Sequence, residues 1–200
     1  MSEIVVQKFG GTSVGTVDRI DSVAEIIKNA SKSNKIVVVV SAMGSETNRL
    51  VDLAKAFGDD PDKREFDALV STGETVSSAL LTMALHSKGV KAKSFSASQI
   101  SMRTTSSYSK AKILDVDAKK ILDVVENDTI PIITGFQGVT EGGDVTTLGR
   151  GGSDTTAVAI AAQIAATRCD IFTDVDGIFT TDPGVVPVSY THLTLPTTRL

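Results

Sequence analysis

The residues best suited to chemistry sit in short glycine-containing turns that follow apolar runs. Lys8-Phe9-Gly10-Gly11-Thr12-Ser13 comes directly after Ile4, Val5 and Val6 and before a helical pattern. At the carboxyl end of a buried strand such a turn presents free N–H groups to an anion, and the lysine adds a point charge. Gly10 and Gly15 have the outer spacing of a P-loop, but Thr16 stands where its lysine would follow, and no G-x-G-x-x-G fits. Taken alone, the glycine pair reads first as a tight turn.

A second turn, Leu148 to Thr156 (LGRGGSDTT), opens another helical stretch. Asp154 there is either a helix cap or a partner for a cation. Arg150 is harder to read as decoration, because a guanidinium beside a glycine turn suits a carboxylate or phosphate. Ser41-Ala42-Met43-Gly44 closes a β-branched run, and Ser71-Thr72-Gly73-Glu74 precedes a helix. Glu74 is either a ligand group or an acid favoured in a first turn. The segment Thr173 to Pro183 (TDVDGIFTTDP) holds three aspartates that decorate a turn or sit beside a nucleotide and its magnesium. His86 lies in a helical pattern and Cys169 opens an apolar strand, so neither supports a Ser-His-Asp or Cys-His hydrolase.

The elements that position these turns follow from periodicity. Residues 3–9, 35–40, 92–95, 130–134 and 170–173 read as strands, Lys35 to Val40 (KIVVVV) being of the kind buried on both faces. Helical spacing recurs at Ile20, Val23, Ala24, Ile27, then Leu50, Leu53, Ala54, Phe57, then Val76, Ala79, Leu80, Met83, and at Ala118, Ile121, Leu122, Val125. Residues 154–166 are apolar nearly all round and predict a helix buried between the sheet and a further layer. Alternating strands and helices predict an α/β fold with a mainly parallel sheet covered on both faces.

Composition narrows the function. The chain has 200 residues, 41% hydrophobic, a net charge of -4 and a mean hydropathy of +0.11, which suffices for one large domain core. The mild acidity argues against nucleic acid or an anionic membrane as partner. The chain shows neither a basic-then-apolar leader nor a long apolar run, and its single cysteine suits a reducing compartment, so a cytoplasmic location is expected.

Together KFGGTSVG, VVVVSAMG, STGE, GRGGSDTTA and TDVDGIFTTDP, in this order over residues 1 to about 187, resemble the aspartate kinases of the amino acid kinase family. The resemblance implies a three-layer α/β/α sandwich that transfers the γ-phosphoryl of ATP, accompanied by Mg2+, to the side-chain carboxylate of L-aspartate. It assigns Lys8, Gly10, Gly11, Ser13, Thr173, Asp174 and Asp182 to ATP, with Asp154 orienting Lys8 as the catalytic pair. It assigns Ser41, Thr47, Glu74, Arg150 and Ser153 to aspartate, Arg150 on the α-carboxylate and Glu74 on the amino group. Such a reaction needs no general base, since a carboxylate acceptor is ionised at pH 7. No metal ligands are assigned.

By the same resemblance the catalytic domain runs on past the TTDP segment and is followed by regulatory ACT domains, so 1–187 is expected to be an incomplete kinase domain. The family also implies a homo-oligomer or a complex with ACT-containing subunits. Residues 188–200 (VSYTHLTLPTTRL) hold four threonines, no acid and no glycine, and read as a tail foreign to the domain. Two other functions remain open: a kinase of N-acetylglutamate, glutamate or a nucleoside monophosphate, and a nucleotide-binding fragment without turnover.

Overall fold

In a computed structural model the described residues are 3–173. The elements, in chain order, are β1 (Ile4–Phe9), α1 (Val17–Ala30), β2 (Lys35–Val40), α2 (Glu46–Lys55), α3 (Lys63–Val70), α4 (Thr72–Ser87), β3 (Ala92–Phe95), β4 (Arg103–Thr104) and β5 (Ile113–Asp115). They continue with α5 (Ala118–Glu126), β6 (Ile130–Thr134), β7 (Gln137–Val139), β8 (Val145–Thr147), α6 (Gly152–Gln163) and β9 (Arg168–Phe172). All five predicted strands form one sheet in the order β3-β6-β2-β1-β9, with every pairing parallel.

Both faces of that sheet are covered, as β-branched runs without a polar alternate require. On one face α1 and α4 pack Ile20, Val23, Ile27, Leu81 and Leu85 against Val5, Phe9, Val38 and Ile132. On the other, α5 and α6 pack Ile121, Val125, Ala157 and Ile160 against Val6, Val37, Val39 and Ile133. This is the three-layer α/β/α arrangement. Side chains alternate along β1, so Lys8 projects from the same face as Val6, toward α6. Its register partners are Val39 of β2 and Ile171 of β9.

A second sheet, β5-β4-β7-β8, was not expected from the sequence. Its strands are two or three residues long, too short for alternation to register. α3 was also missed. Its inward face carries Asp67 beside Val70, so counting apolar residues at helical spacing misses it.

Three helical faces differ from expectation. α4 buries Gly73, Glu74, Ser77, Ser78, Leu81, Thr82 and Leu85, while Val76 and Met83 of the predicted stripe are 47% and 62% exposed. The small side chains win because they allow close approach: the Ser77 hydroxyl donates to the Ser41 carbonyl at 2.7 Å. α2 buries Leu50 and Ala54 but leaves Leu53 and Phe57 exposed. α6 buries Thr156, Ala157 and Ile160 against the sheet, but Thr155, Val158 and Ala162 face outward and no described element covers them. The helical stretch Lys63–Ser87 has the length and mean hydropathy of a bilayer-crossing helix, but it is α3 and α4 joined at Ser71, and half of its most apolar window is buried as in a core helix.

Candidate active site

The turns at the carboxyl ends of β1, β2 and β6 converge on the first turns of α2, α4 and α6. They enclose a cleft of ≈ 260 Å³ lined by Lys8, Gly11, Ser41, Ala42, Gly44, Thr47, Glu74, Phe136, Arg150, Ser153 and Asp154, with Gly149, Gly151 and Gly152. That is smaller than the roughly 300–1,000 Å³ of pockets that hold drug-sized ligands, which favours a small polar one. A larger cleft, ≈ 320 Å³, lies at the amino ends of β2 and β6 around Lys35 and Ile130. It gathers no glycine turn and no buried acid, whereas the smaller one gathers both.

Lys8 is buried, and its Nζ lies 2.7 Å from Asp154 Oδ1. That oxygen is itself buried, with no donor aligned on it beyond this ion pair. The helix cap is Gly151 in a left-handed conformation, without a side-chain hydrogen bond, so Asp154 is a cation partner and not a cap. Lys8 is the buried member and the Asp154 side chain is 47% exposed, so the dependence is one-sided: losing Asp154 leaves a buried ammonium uncompensated, whereas losing Lys8 leaves a carboxylate that water reaches.

Glu74 is 3% exposed at the start of α4. Its Oε1 accepts a hydrogen bond from Ala42 N–H at 3.1 Å, while Oε2 is buried without a partner. Burial pushes its pKa from the ordinary 4.5 up to about 7, against the opposing hydrogen bonds from the Ala42 N–H and its own. A buried carboxylate that lines a cleft and keeps one oxygen without a partner is suited to receive a cationic group. Arg150 is exposed on the Gly149–Gly151 turn and forms no ion pair with any described residue.

The β1 turn is held by Arg19, whose guanidinium donates to the Thr12 carbonyl at 2.6 Å, and by Gly44 N–H on Gly11 O at 2.9 Å. Gly11 is required for this closeness, since a Cβ there would lie 2.9 Å from the Ala42 carbonyl oxygen. Gly10 and Ser13 belong to the same turn but do not line the cleft; Ser13 is buried behind it. Gly10 N–H donates to Phe172 O at 3.2 Å, and Thr173 follows directly. Stacking of Phe9 on Phe172, centroids 4.6 Å apart, ties the two strand ends together. Asp174, Asp182 and the 188–200 segment lie outside the described residues.

Phe136 lines the cleft in a left-handed backbone conformation, φ 66°, an uncommon and strained state for a bulky residue. The sequence carried the signal, because Gly135-Phe136 follows a predicted strand as the other turns do. Ala42 was quoted within its turn, but its N–H contact with Glu74 is visible only in three dimensions. His86 donates Nε2–H to the Ala92 carbonyl at 2.8 Å, far from this end of the sheet. Cys169 is half-buried, and burial followed by Asp170 and Asp154 pushes its thiol up, away from nucleophilic reactivity.

Sequence comparison decides the family: the description "Amino acid kinase family" matches residues 3–196. The chain belongs to the amino acid kinase family. Within it, an aspartate kinase of Pseudomonas putida KT2440 is 55% identical over 185 residues, covering 92% of this chain and 45% of that protein. This amino acid kinase chain thus spans less than half the length of that relative. Aspartate kinase from Synechocystis superposes with a TM-score of 0.75 at 46% identity, covering 93% of this chain and 31% of that one. E. coli aspartokinase III in complex with aspartate and ADP superposes with a TM-score of 0.82 at 31% identity, covering 94% and 53%.

Proposed function

We propose that this chain carries the acceptor site of an aspartate kinase, which transfers the γ-phosphoryl of ATP to the side-chain carboxylate of L-aspartate. One observation carries the reading: a buried, half-satisfied Glu74 carboxylate and an unpaired Arg150 guanidinium line one small cleft with the Lys8–Asp154 pair. An α-amino acid bearing a second carboxylate offers the three matching charges. Glu74 receives the ammonium, Arg150 pairs with the α-carboxylate, and Ser41, Thr47 and Ser153 donate hydrogen bonds. The 31% identical structure with bound aspartate and ADP supports both ligands.

In the reaction a side-chain carboxylate oxygen attacks the γ-phosphorus, the bond to the β,γ-bridging oxygen breaks, and ADP leaves with that electron pair. The product is 4-phospho-L-aspartate, the first intermediate towards lysine, threonine and methionine. No proton must be removed from the acceptor, so catalysis rests on alignment and charge neutralisation. Lys8, held by Asp154, meets the charge on the transferring group, and Gly10, Gly11, Ser13, Thr173, Asp174 and Asp182 complete the nucleotide side. Mg2+ would accompany ATP and neutralise phosphate charge. No three carboxylate, histidine or cysteine side chains converge among the described residues to hold it.

The enzyme is read as cytoplasmic, and as a homo-oligomer or a partner of ACT-containing subunits. Residues 1–187 are read as catalytic-domain sequence and 188–200 as a tail. The family match itself extends to residue 196, past that boundary. An acceptor screen following ADP release tests the reading. L-aspartate should be the preferred acceptor over L-glutamate, N-acetyl-L-glutamate and nucleoside monophosphates; preference for any of these would replace the assignment.

A further inference from the structure

Asp67 is fully buried in the middle of α3, yet no cation among the described residues pairs with it. Its carboxylate is saturated by two residues. Oδ2 accepts from the backbone N–H of Ser109 at 2.8 Å and of Thr147 at 2.7 Å, and Oδ1 accepts from their hydroxyls at 2.9 Å each. A polar group this deep persists only where its hydrogen-bonding capacity is met, and here four donors meet it.

The places of these residues in the chain give the contact its meaning. Thr147 is the last residue of β8, and Leu148, Gly149 and Arg150 follow it directly. Ser109 backs the same turn: it has φ 63°, and its carbonyl oxygen would lie 3.2 Å from a Cβ placed on Gly149. On the other side, Asp67 lies seven residues, about two helical turns, before Glu74, and α3 passes into α4 through the shared cap Ser71. Two further ties run the same way. Gln137 Nε2 donates to the Ser71 carbonyl, and Arg64, one turn before Asp67, pairs with Asp144 at 2.8 Å.

We infer that Asp67 is a positioning residue that fixes the Arg150 turn against the helices carrying Glu74, and so supports binding of the acceptor but not of ATP. The inference rests on the proposed roles of those two residues. What Asp67 supplies is acceptor geometry, not charge. An asparagine could take the same place, its carbonyl accepting the two N–H groups and its amide donating to two reversed hydroxyls. Alanine would leave two N–H groups and two hydroxyls unmet in a buried site.

The test measures L-aspartate and ATP binding by calorimetry on the full chain carrying Asp67→Asn, Asp67→Ala or Thr147→Val, with Arg150→Ala as reference, alongside thermal unfolding. Asp67→Asn should keep aspartate affinity within about twofold, and Thr147→Val, which loses one hydroxyl, should weaken it by about threefold. Asp67→Ala should weaken it by about tenfold or more while ATP affinity stays within about twofold. If Asp67→Ala does not fold, the other two variants decide. Asp67→Asn as damaging as Asp67→Ala would mean that charge matters, and would overturn the inference. So would equal loss of both ligands, or no loss in Asp67→Ala or Thr147→Val while Arg150→Ala is impaired. Arg150→Ala binding aspartate normally would instead overturn the functional reading, and the inference with it.

Discussion

If Glu74 receives the acceptor's ammonium as proposed, acceptor binding should depend on pH in a direction and amount that burial dictates. With its carboxyl pushed up to about 7 by burial, its ionised fraction falls from about nine-tenths at pH 8 to about one-tenth at pH 6. An ammonium group seated against Oε2 binds the ionised form, so aspartate affinity should fall about tenfold between those pH values, and binding at pH 7 should release about half a proton. Calorimetry in two buffers of different ionisation enthalpy reads both quantities. Glu74→Gln should bind weakly and lose the slope, and any titration of the ligand itself will appear equally in that variant. The same burial acts on stability with a definite sign. The carboxyl titrates at 4.5 when unfolded and at about 7 when folded, so the folded state holds an extra proton between those values. Stability therefore falls as pH rises through that window, by on the order of 3 kcal/mol, and stays reduced above it. At pH 8 Glu74→Gln should raise Tm while abolishing the aspartate response. Affinity that is flat or strengthens from pH 8 to pH 6, or a Gln variant that keeps the slope, would refute this reasoning.

Other perturbations separate the parts of the site. Lys8→Met should lower kcat by on the order of a hundredfold or more, roughly 3 kcal/mol, with a much smaller change in ATP affinity; near-normal turnover would remove Lys8 from catalysis. Arg150→Ala should cost about 2 to 3 kcal/mol in kcat/KM for aspartate and leave ATP binding nearly intact, and the reverse pattern in steady-state kinetics would reassign it. Gly135→Ala would place a Cβ 2.6 Å from Ser153 Oγ and 2.9 Å from the Val40 carbonyl. Denaturant unfolding should therefore show about 1–3 kcal/mol lower stability, and an unchanged midpoint would contradict the packing described.

Legibility in the sequence followed the physics of each element. β1, β2 and β6 were readable because a strand buried on both faces is an apolar run with few alternatives, as in Lys35–Val40, whereas β3 and β9 at the sheet edges are only partly buried and carry a weaker signal. α1 was read on its correct face because its other face is charged. α4 was not: it is apolar on two sides, and period alone cannot tell the stripe of Val76 and Met83 from the row of small residues that packs. Among the site residues, Lys8, Gly11, Ser41, Thr47, Glu74, Arg150, Ser153 and Asp154 do line one cleft, because each follows a strand or opens a helix at the same end of the sheet. Asp67 was illegible for the opposite reason. Its partners lie 42 and 80 residues away, on a loop and a three-residue strand that carry no periodic signal.

The proposed reading stands or falls on one cleft recognising the ammonium and the α-carboxylate of L-aspartate through Glu74 and Arg150, beside the lysine that meets the transferring phosphoryl group. Calorimetric titration of the chain with L-aspartate, N-acetyl-L-aspartate and the α-amide of L-aspartate tests it without requiring turnover. L-aspartate should bind, and each analogue, lacking one charge, should lose about 2 kcal/mol or more. Equal affinity for L-aspartate and N-acetyl-L-aspartate, or preference for the acetylated form, would contradict the account, because no ammonium would then be meeting the bare oxygen of Glu74.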